Sequence, residues 1–94
     1  MMEIHSILKK YGVDFETFSQ QIMNDGAIGV KTKRLIAIAS AVAIGCDFCV
    51  EHHVNLACDE GISKEEIAEA MLVASLVRFG SGARYVRCVD EEHE

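Results

Sequence analysis

The stretch Ala41-Val42-Ala43-Ile44-Gly45-Cys46-Asp47-Phe48-Cys49-Val50-Glu51-His52-His53 decides how this chain is read. Upstream of it, from Thr32 to Ile44, Ile or Val alternates with Ala, a spacing that resembles a strand. Alanine is poor in strands and the best helix former, so the stretch reads as a helix, apolar on almost every side after a basic start. Gly45 interrupts it, and a second helix is expected to begin at Cys46 or Asp47 and run to Glu60, with Gly61 suited to the left-handed C-terminal position. The Cys-x-x-Cys pair then falls at a helix N-terminus.

Downstream, Ser63-Lys64-Glu65-Glu66 matches a capping box and opens a helix expected from Lys64 to about Phe79. Its apolar residues form two stripes, Ile67-Met71-Ala74 and Leu72-Val73-Leu76-Phe79, more than one small core takes up. The spare stripe is expected at a subunit interface, as core and contact surface and not as a cofactor pocket. Gly80-Ser81-Gly82 is expected to break the chain before a last helix with Tyr85, Cys88 and Val89 on one face. Upstream, Asp14 caps a helix carrying Phe15, Phe18 and Ile22, Asn24-Asp25-Gly26 stops it, and a short helix precedes it around residues 3 to 10.

The chain has no proline, and Ala, Leu, Ile, Met, Glu and Lys are common. The expected class is all-α, with about five to six helices. At 94 residues it reads as one domain, residues 1–94, with an acidic end, Asp90 to Glu94, that frays. A net charge of −6 and a pI near 5.1 exclude a broad basic face, so nucleic acid is not an expected partner. The run from Leu35 to Ile44 is too short to span a bilayer, and the start shows no basic segment followed by a long apolar run. A soluble, cytoplasmic protein is expected.

Four cysteines in such a compartment point to a redox pair, a metal site or buried free thiols, and not to a disulfide framework. At about 100° per residue, Cys46, Cys49 and His53 lie within roughly 60° of one another on one helix face. The free N–H groups and positive end of the helix dipole favour a thiolate there. His53, one turn after Cys49, is the natural acid–base partner. A second cysteine at this spacing can condense with an oxidised first one before oxidation becomes irreversible.

Other readings of these residues are a zinc site completed by His52, Cys58, Cys88 or another subunit, and inert buried thiols. Structural zinc sites usually draw ligand pairs from two segments, and Asp47, Glu51 and His52 are polar neighbours, so the redox reading leads and no metal is expected. Cys58 and Cys88 have no partner at a telling spacing and read as buried small apolar groups. His52 reads as solvated or interfacial, and His5 and His93 as surface residues. Arg34, on a nearly all-apolar helix, either faces the thiols or pairs with a carboxylate such as Asp47 or Glu51, and the pairing leads. No organic cofactor is expected.

Three runs in order, Lys31-Thr32-Lys33-Arg34-Leu35-Ile36-Ala37, Gly45-Cys46-Asp47-Phe48-Cys49-Val50-Glu51-His52-His53 and Gly61-Ile62-Ser63-Lys64-Glu65-Glu66-Ile67-Ala68-Glu69-Ala70, resemble the carboxymuconolactone decarboxylase and alkylhydroperoxidase D-like (AhpD-like) superfamily. The resemblance spans about residues 12 to 80. It implies an all-helical subunit in a homo-oligomer, a trimer or hexamer. In the redox-active branch it implies a peroxide or disulfide substrate, an unidentified thiol electron donor, Cys49 as attacking thiol, Cys46 as resolving thiol and His53 in a proton relay. Two further relay positions of that branch, a glutamate twelve residues before the first cysteine and a histidine between the cysteines, hold Arg34 and Phe48 here. A guanidinium stays protonated and is no base, but a cation facing the pair can lower a thiol pKa.

Overall fold

The computed structural model describes residues 3–92, and for residues 91 and 92 the backbone only. Every element among the described residues is helical: α1 (Ile4–Lys10), α2 (Phe15–Ile22), α3 (Val30–Ile44), α4 (Asp47–Asp59), α5 (Lys64–Ala83), a 3-10 turn (Arg84–Val86) and α6 (Arg87–Glu92). The chain divides into two compact units, Met1–Val30 and Lys31–Glu94.

In the first unit the Asp14 carboxylate accepts the Thr17 N–H at 3.2 Å and caps α2. Neither α1 nor α2 has a buried residue, and Phe15, Phe18 and Ile22 stay exposed.

The second unit holds the core. In α3 the buried residues are Arg34, Ile38 and Ala41, at the three- and four-residue steps of a helix, while Ile36 is 47% exposed beside a fully buried Ile38. A strand would have put Ile36 and Ile38 on one side, so burial itself settles the period. Ile38 packs with Ala57, Ile62 and Ile67, and Leu35, Val54 and Met71 close around them. α3, α4 and α5 thus each contribute a narrow stripe.

Two glycines turn the chain between these helices. Gly45, at φ +75°, donates its N–H to Val42 O at 3.2 Å, and Cys46 donates to Ala41 O at 3.0 Å. Gly61, at φ +82°, donates to Cys58 O at 3.1 Å, and Ile62 to Ala57 O at 3.0 Å. Both are the paired C-terminal bonds of a Schellman turn, which needs a left-handed residue that only glycine adopts at little cost. The second turn also carries the usual apolar contact, since Ala57 and Ile62 are both in the core.

The expected break at Gly80-Ser81-Gly82 does not occur: α5 continues through it to Ala83. Both glycines keep negative φ, and the Ser81 hydroxyl donates to Arg78 O at 2.7 Å, a bond made within the helix. Glycine weakens a helix by about 1 kcal/mol but does not forbid it, and the preceding turns carry the helix through. The two stripes of α5 behave differently. Ile67 and Ala74 are buried, whereas Leu72, Val73, Leu76 and Phe79 stand 60–71% exposed.

Candidate functional site

The site is assembled where α3 ends and α4 begins. Cys46 belongs to both helices: its N–H closes the Schellman turn of α3, and its Sγ caps α4 by accepting the Cys49 N–H at 3.2 Å. The cap places the two sulfurs within the first turn, and they are joined as a Cys46–Cys49 disulfide with Cα atoms 5.2 Å apart. Both cysteines are half-buried, and Asp47 and Phe48 between them are exposed. Inert, sealed thiols do not fit that exposure.

His53 follows one turn later on the same helix and is half-buried. Its Nδ1 lies 2.8 Å from Nη1 of Arg34. The rest of that guanidinium is also engaged, with Nε donating to Glu60 Oε1 and Nη2 to Oε2, each at 3.0 Å. Arg34 is therefore paired, as its place on an apolar helix demands, but with Glu60 and not with Asp47 or Glu51. The reason is geometric. Asp47 and Glu51 sit in the first two turns of α4, whereas Glu60, itself exposed, stands at its C-cap, two turns beyond His53 on the same face and 3.0 Å from the guanidinium.

Burial holds the His53 imidazole below its ordinary pKa, and the Arg34 cation and then His52 lower it further, against a raising effect of Glu60. The ring is neutral at pH 7. Arg34 is itself only 7% exposed, so its charge acts through little water. His52 is exposed and stacks on Phe48 with ring centroids 5.9 Å apart, meeting the His53 ring edge-on at 5.1 Å. Phe48, Glu51, His52 and Asn55 line a shallow recess beside the cysteines.

Of the residues the sequence pointed to, Cys46 and Cys49 are brought together, and His53 stands on their helix one turn beyond. Cys58 and Cys88 are not part of the site, and both are exposed free thiols, not buried as expected. On α4 the buried position goes to Ala57, which turns the adjacent Cys58 outwards, and residues 84–90 are all exposed, Cys88 among them. His5 is a surface residue as expected, half-buried between the carboxylates of Glu3 and Glu16 and stacked on Phe15. His93 lies outside the described residues. Glu60 was missed, although a usable signal existed: it precedes the turn glycine Gly61 and lies seven positions after His53, which is two helical turns.

A family model described as "Carboxymuconolactone decarboxylase family" matches residues 11–92. The chain is 42% identical over 67 residues to a Paracoccus denitrificans protein named "Uncharacterized protein 4 in cox locus", a match covering 71% of this chain and 60% of that protein. It is 34% identical over 71 residues to an uncharacterized protein of Cupriavidus necator, covering 76% of this chain and 63% of that protein. The chain therefore spans under two thirds of these relatives. A crystal structure of a protein from Methanobacterium thermoautotrophicum superimposes with a TM-score of 0.78 at 31% identity, over 93% of this chain and 98% of the other.

Proposed function

We propose that this chain, which belongs to the carboxymuconolactone decarboxylase family, is a thiol–disulfide redox protein that reduces peroxides or disulfides. The observation that carries this reading is the Cys46–Cys49 disulfide across the first turn of α4, with the Arg34–His53–Glu60 cluster on the same helix. In the reduced protein the helix N-terminus favours a thiolate at this pair.

Cys49 is the attacking sulfur. With a hydroperoxide, the thiolate takes the terminal oxygen, the O–O bond breaks, an alcohol leaves after taking a proton, and Cys49 becomes a sulfenic acid. Cys46 then attacks that sulfur, forming the disulfide and releasing water. With a disulfide substrate, Cys49 forms a mixed disulfide, releasing one thiol, and Cys46 displaces the second. Two electrons from an external thiol donor restore the dithiol, and the donor leaves as its own disulfide. His53, one turn beyond Cys49 on α4, assists the pair through its imidazole.

The proposal places this cycle in the cytoplasm, where reducing thiols are available. No described helix is long and apolar enough to cross a membrane. The open stripe of α5, Leu72, Val73, Leu76 and Phe79, supports assembly with further copies of the chain.

The test is to expose the reduced protein to one equivalent of hydroperoxide and follow intact mass and free thiols. The wild type should lose two hydrogens, neither Cys46→Ser nor Cys49→Ser should do so, and Cys46→Ser should carry a Cys49 sulfenic acid that a second equivalent overoxidises. A wild type that keeps every thiol sinks the proposal.

A further inference from the structure

The three nitrogens of Arg34 are divided between two neighbours. Nε and Nη2 are fixed by the Glu60 carboxylate, and Nη1 is left pointing at Nδ1 of His53. A guanidinium has donors and no acceptor, and it does not lose its proton in a protein. The contact at 2.8 Å therefore has one assignment: Nη1–H donates and Nδ1 accepts. In a neutral imidazole, an accepting Nδ1 puts the proton on Nε2. Nδ1 is occupied, so Nε2–H is what the ring can offer elsewhere.

We infer that Arg34, clamped by Glu60, is a positioning residue that holds His53 as its Nε2–H tautomer, so that the ring serves the Cys46–Cys49 pair as a hydrogen-bond donor and not as a proton-accepting base. This rests on the redox reading for its purpose, but the tautomer stands on geometry alone. The donor stabilises whichever sulfur carries negative charge: the attacking thiolate in the reduced protein, and the leaving thiolate when the disulfide is opened. The proton lost from a thiol passes to solvent, because Nε2 is filled and Nδ1 faces a cation.

The groups that set the state of this ring come from two helices. Arg34 approaches from α3, while His52 and Glu60 lie on α4 and at its C-cap. A second proton on Nδ1 would face the guanidinium directly, and Arg34 adds to the lowering of the His53 pKa that burial chiefly causes. Glu60 does not touch the ring. Its part is to hold the guanidinium plane, since a bidentate fork leaves the side chain little rotational freedom.

The tautomer is read by ring-nitrogen NMR of the 15N-labelled protein near neutral pH, in the disulfide and dithiol states. We expect an unprotonated Nδ1 and a protonated Nε2 for His53 in both. A protonated Nδ1, or two averaged nitrogens, overturns the inference and leaves the redox reading intact. The link to the thiols is read by the alkylation rate of the reduced protein with iodoacetamide. Arg34→Met should average the two ring nitrogens and slow alkylation on the order of tenfold at neutral pH. Arg34→Lys, which keeps a charge and a donor, should recover most of the rate, and Glu60→Gln should fall between the wild type and Arg34→Met. An Arg34→Met or Glu60→Gln protein that reacts at the wild-type rate overturns the positioning role. Failure of the redox reading itself appears elsewhere, as a wild type that forms no disulfide under hydroperoxide.

Discussion

The first turns of α4 and α5 share a plan and differ in their chemistry. In α5 the N-cap is Ser63 and the third helical residue is Glu66. The Ser63 Oγ accepts the Glu66 N–H at 3.1 Å, and the Glu66 carboxylate takes the Ser63 N–H at 3.1 Å. In α4 the same two positions are Cys46 and Cys49. The Cys46 Sγ accepts the Cys49 N–H at 3.2 Å, and a covalent bond replaces the return hydrogen bond. Oxygen at these positions stays where it is put. Sulfur there can exchange one S–S bond for two thiols that remain in the field of the same N–H groups. The α5 turn is further settled by Lys31, whose Nζ lies 2.7 Å from Glu66 and is the main cause, before Ser63, of that carboxyl's lowered pKa.

The comparison breaks most sharply at Cys46→Ser. Serine is a good N-cap, so α4 should keep its helical circular dichroism while disulfide formation disappears altogether. A variant that loses helix along with its chemistry would show that sulfur is needed for the fold. The matching change in α5, Ser63→Ala, touches no chemistry and should cost about 1 kcal/mol, read as a lower urea midpoint with unchanged disulfide formation. An unaffected midpoint would mean that the Lys31–Glu66 pair alone holds the turn.

Smaller effects sharpen the outline of α5. Adding a methyl group at Gly80 meets nothing within 4 Å, so Gly80→Ala should raise stability by roughly 0.4–1 kcal/mol if the helix runs through this position as described. A loss of stability would restore the chain break that the glycines suggest. The smallest effect concerns acid. His53 is harder to protonate when folded, so the unfolded chain takes up the proton first as pH falls below its ordinary value of 6.5. Stability should be level above that value and decline below it, before the separate loss of Asp14 and Glu66, whose lowered carboxyl pKa values act in the more acid range. Urea midpoints of wild type and His53→Gln through the range between roughly pH 7 and 5 test this, and equal slopes would exclude His53 as the source.

Most of the helical plan was legible because it is local. Gly45 and Gly61, the Asp14 cap and the Ser63 box each act within four or five residues, and a cap or turn of that reach is written in consecutive letters. The grouping of Cys46, Cys49 and His53 was legible for the same reason, since one helix fixes their register. The failures share a cause too. Cys58 was taken as buried from its residue type, yet burial depends on which side of α4 meets the core, and that side is marked by Val54 and Ala57. The end of α5 was placed too early because a glycine signals a break only when nothing upstream carries the helix on.

The sequence by itself therefore determined a set of helices, their caps and turns, and a dithiol at a helix N-terminus with a histidine one turn on. Only the tertiary structure decided what faces that histidine. Arg34 and Glu60 are 26 positions apart and share no helix. They meet because Ile38 of α3 packs into the cluster with Ala57 of α4, which brings the basic start of one helix beside the acidic end of the other. Which of several carboxylates an arginine pairs with depends on the distance between side chains after packing. Spacing along a single helix does not fix that distance.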